Sequence, residues 1–256
     1  MLPLFKSHYS VGKSILTLKS PNPSDPDGPT SVFDICAKHD ISELVLVEDS
    51  LIGFLEARKQ SEQVGVKLSF GLRLSVCDDM NIEEAKNSLA CSHKIIVFAK
   101  TGEGCILLNK IYSAAQTKGH GRIDAKTLKS FYDPIHLKIA IPFYDSFLFH
   151  NTFSYKEPCL LDHSFFSPTF FIESNNLPFD LVLQDVVNNY AAKEFPVVMT
   201  KSIYYENEND FEAYQTYKCI CSRGFSNRPK TLDMPNLDHC GSPEFSYESY
   251  LNYESS

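Results

Sequence analysis

Two adjacent carboxylates, Glu48 and Asp49, close a short apolar run at residues 44 to 47, and Gly71 and Arg73 lie in the β-rich run 66 to 76 that follows. Clustered carboxylate oxygens are what a hard divalent cation requires. An arginine at the same locus opposes such an ion, because its five-donor guanidinium suits a carboxylate and turns the site toward ion pairing. Pairing of Glu48 and Asp49 with Arg73 or Lys6 is therefore favoured over metal binding. His8 and His93 are the imidazoles placed beside apolar runs. Each is a candidate ligand or general base, although a single histidine at a strand end is more often a hydrogen-bonded structural residue. Cys219 and Cys221 fall on opposite sides of a helix and make no thiolate pair. The acidic run Asp78, Asp79, Glu83 and Glu84 reads as a solvated helix start, which the helix macrodipole favours. No phosphate-cradling Gly-rich loop, GxSxG elbow or HExxH string occurs.

The elements that must position these residues are legible as alternating periodicities. Residues 44 to 47 are unbroken apolar, as in strands buried on both faces. Leu51, Phe54, Leu55 and Val64 then follow helical spacing to a C-cap at Gly65, and the strand 66 to 76 comes next. Two parallel strands joined by a helix need a crossover of this kind, right-handed almost without exception. In barrels and open α/β sheets, ligands gather at strand C-termini, where Glu48 and Asp49 stand.

Further strands are expected at 2 to 5, 95 to 99, 137 to 142, 170 to 173 and 196 to 200. Lys6, Ser7 and His8 follow the first of them, and a Pro-rich loop covers 20 to 29. Ser31 with Asp34 starts a helix whose inner face is Val32, Phe33 and Cys36. Other helices are expected on Ile82, Ala85 and Leu89; on Leu108, Ile111, Tyr112 and Ala115; and on Leu183, Val186, Val187 and Tyr190. A last helix, capped by Asn209 with Glu212, runs through Ala213, Tyr217 and Ile220. Seven strands alternating with helices make an α/β architecture with a parallel sheet, closed as a barrel or open. From residue 225 onward no apolar periodicity is visible, so residues 225 to 256 are expected to form a loosely packed linker after a domain at 1 to 224.

With 256 residues, 43% hydrophobic and 22% charged, the chain has the makings of a large core. Its formal charge of −8 argues against a broad grip on a phosphate backbone, so any DNA contact is expected to be local or supplied by a partner. No run of about 18 apolar residues is present, so no membrane contact is expected. The opening residues lack a signal-peptide pattern, and the cytoplasm is the expected compartment. Eight cysteines without a CxxC pair are expected to be reduced thiols.

The local strings resemble the PHP (polymerase and histidinol phosphatase) domain that opens the bacterial and phage DNA polymerase III alpha subunit. FKSHYS resembles that domain's His-X-His opening, VEDSLIGFLEA its Thr-Asp-His-Gly-Asn segment, and VKLSFGLRL its Ile-Gly-Cys-Glu strand. SHKIIVFAKTGEGCILLNKIYSAA is the most telling match, RIDAKTL follows as in the family, and FPVVMTKSIYYENENDFEAYQTYKCICSRG resembles the family's closing segment.

The resemblance implies a seven-stranded (β/α) barrel with a C-terminal extension and a site at the strand C-termini. Active members hold up to three metal ions there, through His, Asp, Glu and Cys. Here Lys6 stands at the first His, His8 keeps the second, and Glu48 and Asp49 stand near the Asp-His pair. Arg73 replaces a Glu ligand and His93 is retained; Tyr144 falls near the Cys, and Asn175 or Asn176 near a His. Ser202 and Tyr204 replace the closing Asp and His. What this implies is a catalytically degenerate module with no cofactor, within a protein whose DNA-directed polymerase (nucleotidyltransferase) activity lies elsewhere. Its implied partners are the polymerase domain and replisome proteins, such as a proofreading or clamp-associated subunit. The alternative is a metal-dependent phosphoesterase or 3′–5′ exonuclease, using Zn or Mn on His8, Glu48, Asp49 and His93.

Overall fold

Apolar runs too short for helices become the sheet. The strands are β1 (Leu2–Phe5), β2 (Glu43–Glu48), β3 (Lys67–Cys77), β4 (His93–Ala99), β5 (Arg122–Asp124), β6 (Leu137–Ile141), β7 (Thr169–Ile172) and β8 (Val197–Ile203). The computed structural model describes residues 1–19, 28–81, 92–154, 158–192, 194–221 and 241–255; the helix expected on Ile82, Ala85 and Leu89 lies outside them. The hydrogen-bonded order is β2-β1-β8-β7-β6-β4-β3-β5, and β2 also pairs with β3, so seven strands close into the expected barrel and β5 is appended to β3.

One strand departs from the parallel rule. β4 runs antiparallel to both β3 and β6. Antiparallel neighbours need no crossover, so the chain can turn back between β3 and β4. The consequence is positional: His93, the first residue of β4, pairs in register with Val76 near the C-terminal end of β3.

The helices are α1 (Val32–Lys38), α2 (Phe54–Val64), α3 (Gly102–Thr117), α4 (Ala125–Phe131), α5 (Phe147–Phe153), α6 (Asp180–Ala191), α7 (Phe211–Cys221) and α8 (Tyr247–Glu254). Side-chain oxygens satisfy their first N–H groups: Ser31 accepts from Phe33, Thr101 from Gly104, Asp124 from Thr127, and Ser146 from Phe149. Gly65 ends α2 in the left-handed conformation at φ 78°, as its spacing predicts. The last capping box is two residues earlier than expected, on Asn207 and Asp210. Helix α2 also presents a different face. Leu55 and Val64 are exposed, and the small residues Ala57 and Ser61 are the buried ones.

The chain divides into two compact units. The first comprises Met1–Phe70, Ser174–Leu177 and Thr200–Ser256; the second comprises Gly71–Glu173 and Pro178–Met199. Phe5, Leu16, Phe33, Leu46, Tyr205 and Tyr214 centre the core of the first, and Leu72, Val97, Ile111, Ile139, Phe143 and Leu183 that of the second. Residues 241–255 belong to the first unit, and the expectation that their aromatic residues would find no packing face fails. Phe245 is fully buried and stacks on Tyr204 with ring centroids 5.0 Å apart, and Tyr247 packs on Phe5 and His39. Main-chain bonds from Tyr204 N to Phe245 O and from Tyr247 N to Tyr205 O tie this segment to the residues after β8. The cysteine expectation also needs correction: Cys159 is disulfide-bonded, whereas Cys36, Cys77, Cys105, Cys219 and Cys221 are thiols. No helix among the described residues is long and apolar enough to cross a membrane.

Candidate functional site

In the first unit, the ends of β1 and β2 bring Lys6, Ser7, Ser10, Glu48 and Asp49 together. Glu48 is fully buried, and both of its carboxylate oxygens are engaged. Ser7 N donates to Oε1 at 2.8 Å, and the Ser10 hydroxyl donates to Oε2. The same Ser10 Oγ accepts from Asp49 N at 2.9 Å, which holds the turn after β2 against the loop after β1. Lys6 is buried, and its Nζ lies 3.3 Å from Asp49 Oδ1. Burial pushes the Glu48 carboxyl above the usual range, although the Lys6 charge and the serine hydrogen bonds pull the other way. His8 is exposed, with its ring 4.3 Å from that of Tyr9 and its N–H on Leu16 O.

A second buried lysine occupies β8 of the same unit. Lys201 is fully buried; its ammonium contacts Ser174 O and Glu244 Oε2, each at 3.3 Å, and lies 4.7 Å above the Tyr253 ring. Burial raises the Glu244 carboxyl, but the Ser249 hydroxyl, the Lys201 charge and the Asn176 amide more than offset it, so its pKa is lowered. Asn175 is buried, and its carbonyl accepts from the Ser242 hydroxyl at 2.6 Å. Ser202 follows Lys201 in β8, and Tyr204 is buried between the rings of Tyr214 and Phe245. The Lys6–Asp49 pair was among the expected pairings, whereas the contact of Lys201 with Glu244, 43 residues away, could not be read from spacing. The signal available was a lysine inside a strand, in VVMTKSI.

In the second unit, Arg73, expected to pair with Glu48 or Asp49, forms an ion pair with Asp145, a carboxylate the sequence did not single out. Its Nη2 lies 2.6 Å from Asp145 Oδ2. Asp145 follows β6 in a left-handed turn at φ 60°, and its carbonyl accepts from Lys94 N at 2.7 Å. Gly71 serves close packing, because a Cβ there would meet Phe98 Cε1 at 2.6 Å. Tyr144 donates its hydroxyl to Asp180 at 2.9 Å.

His93 is buried, with its ring 5.9 Å from Phe147. Burial lowers its pKa from 6.5 to about 4, with backbone groups at Lys94 and Leu160 partly opposing. Because the folded value lies below the unfolded one, the unfolded chain takes up the proton first, and stability contributed by neutral His93 is lost as pH falls from 6.5 toward 4. The full loss corresponds to about 3 kcal/mol. Urea unfolding at pH 7 and near pH 4 should show the parent losing more stability than His93→Gln; equal losses would mean that the imidazole is not held neutral.

Among the described residues, no three His, Cys, Asp or Glu side chains form a group able to hold a metal ion. The residues that are present fit a metal poorly for a positive reason. An ion on Glu48 and Asp49 would face the Lys6 ammonium and would compete with the hydrogen bonds already made to both Glu48 oxygens.

No family model matches the sequence, and no curated protein matches it. Among solved structures, the chain is similar to a proposed metal-dependent phosphoesterase from Bifidobacterium adolescentis, at 10% identity over 78% of this chain and 87% of that one, with a TM-score of 0.39. At that level no chemistry is carried across, and the site stands on its own residues.

Proposed function

We propose that the chain is a PHP-like barrel whose strand-end site has been converted from holding metal ions to holding internal cations, and that it serves as a structural, protein-binding module of a DNA polymerase III alpha type replicative polymerase. The observation that carries the non-catalytic part is the buried ammonium of Lys6 paired with Asp49 and acting on Glu48. Two-metal phosphoester hydrolysis needs ions held by several anionic or imidazole ligands. At this position one of the charges is already supplied by the chain. The polymerase part is supported by the resemblance of SHKIIVFAKTGEGCILLNKIYSAA and the segments around it. In this reading DNA synthesis belongs to a polymerase domain, and the module contacts that domain or a proofreading or clamp-associated subunit.

The competing reading is a Zn- or Mn-dependent phosphoesterase or exonuclease on His8, Glu48, Asp49 and His93. A hydrolysis assay separates the two. With added Mn²⁺ or Zn²⁺, the purified chain is expected to turn over neither bis(p-nitrophenyl) phosphate nor single-stranded DNA above the metal-only control. Metal-stimulated turnover that His8→Ala abolishes would establish the enzyme and overturn the proposal.

A further inference from the structure

A groove of about 490 Å³ opens in the second unit, at the end of β4 and β6 opposite to His93 and Arg73. Its floor and walls are aromatic: Tyr132, Phe165, Phe166 and Phe195 line it, with Tyr132 5.8 Å from each of Phe165 and Phe166. Its rim carries two ammonium groups. Lys100 follows the last residue of β4, and its Nζ donates to Pro134 O at 2.9 Å, which fixes the charge at the groove edge. Lys138 is the outward-facing residue of β6. A third cation, Lys129, lies 5.7 Å over the Phe165 ring.

Among the described residues, no Asp or Glu lines the groove. Three carboxylates adjoin lining residues in sequence without lining the groove themselves: Asp133, which accepts from Ile135 N, Asp162, which accepts from Ser164 N, and Glu194 beside Phe195. In a chain of net charge −8, a groove lined by lysines and aromatic rings without a carboxylate is a local exception. Ammonium groups at a rim suit a phosphate, and the half-exposed rings of Tyr132, Phe165 and Phe195 suit a flat π-system, which gains from stacking whatever its edge pattern. The volume is that of a small-molecule site.

We propose that this groove binds a phosphate-bearing ligand with a flat aromatic ring, the nucleotide class, with Lys100 and Lys138 on the phosphate and Phe165 against the ring. The inference is independent of the strand-end site and of its proposed role.

The test is calorimetric titration of the full chain with ADP, with adenosine and with inorganic phosphate. ADP is expected to bind at least about tenfold more tightly than either fragment. The double variant Lys100→Glu with Lys138→Glu should weaken ADP about tenfold or more at an unchanged Tm, and Phe165→Leu, which keeps the apolar volume and removes the ring, should weaken ADP and adenosine together. Absence of ADP binding up to about 10 mM would overturn the proposal. So would phosphate or adenosine matching ADP, or ADP binding indifferent to both sets of variants.

Discussion

Lys6→Ala is expected to lower the unfolding free energy at pH 7 by about 3–5 kcal/mol, the cost of stranding buried carboxylates after their cation is removed. Lys6 is almost wholly buried while Asp49 is 29% exposed, which places the expected value toward the lower end of that range. The loss has a second source. Glu48 is fully buried, and the Lys6 charge is the largest of the influences that lower its pKa. Without Lys6, the carboxylates can escape charge only by taking up protons. The deficit of the variant is therefore expected to shrink as the pH is lowered from 7 toward 5, because the folded state then binds protons more tightly than the unfolded chain. Lys6→Met, which fills the space without the charge, should behave the same way. Urea unfolding of both variants at the two pH values gives the answer. A loss under about 1 kcal/mol for both would place the pair in the class of solvent-screened ion pairs and remove the physical basis for a cation-filled site.

Phe245→Ala is expected to cost about 3–5 kcal/mol, as large-to-small changes at fully buried aromatic residues do. The ring is inaccessible to solvent and stacks on Tyr204, whose other neighbour is Tyr214 at 5.8 Å. Because Glu244 precedes it, loosening Phe245 also loosens the carboxylate that faces the buried Lys201. The expected signature is thus twofold: a lower urea midpoint, and new proteolytic cleavage within 241–255 under conditions where the parent is resistant there. An unchanged midpoint would mean that this segment packs without contributing to the stability of the first unit.

What the sequence disclosed, and what it hid, follows from the physics of each signal. The strands of the barrel were legible because a strand covered on both faces must be apolar throughout, as in Leu44, Val45, Leu46 and Val47. Strand direction leaves no such mark, so the antiparallel course of β4 was not visible. β5 is only three residues, Arg-Ile-Asp, too short for a period. In α2 the large apolar residues pointed to one face, yet the buried positions are Ala57 and Ser61, since small side chains serve where a helix lies close to its neighbour. The C-terminal aromatics carried no periodicity because they are buried one at a time, each by a different partner: Phe245 by Tyr204, Tyr247 by Phe5 and His39.

The site divides in the same way. That Lys6, Glu48 and Asp49 would neighbour one another followed from their positions at strand ends, and the structure brings them together. Ser10 was missed, although it bridges Glu48 and the Asp49 backbone, because a serine in a turn has no distinctive spacing. Asp145 was missed because its partner Arg73 is 72 residues away and only the sheet register connects them. His8, a candidate ligand by its place after β1, is exposed beside Tyr9.

The charge logic of the first unit has a common form. In both Lys6 with Asp49 and Lys201 with Glu244, a buried lysine, just after β1 in the one and within β8 in the other, meets a half-buried carboxylate. Such pairs stabilise little relative to apolar replacements of the same shape, but they are costly to break on one side only. On the proposed reading, an end built this way resists the entry of a further cation. The most direct test of that reading is the metal content of the chain purified without chelator and then equilibrated with Mn²⁺ or Zn²⁺, read by elemental mass spectrometry after gel filtration. Far less than one ion per chain is expected. One or more ions per chain, retained through the column and lost on Glu48→Gln, would contradict it.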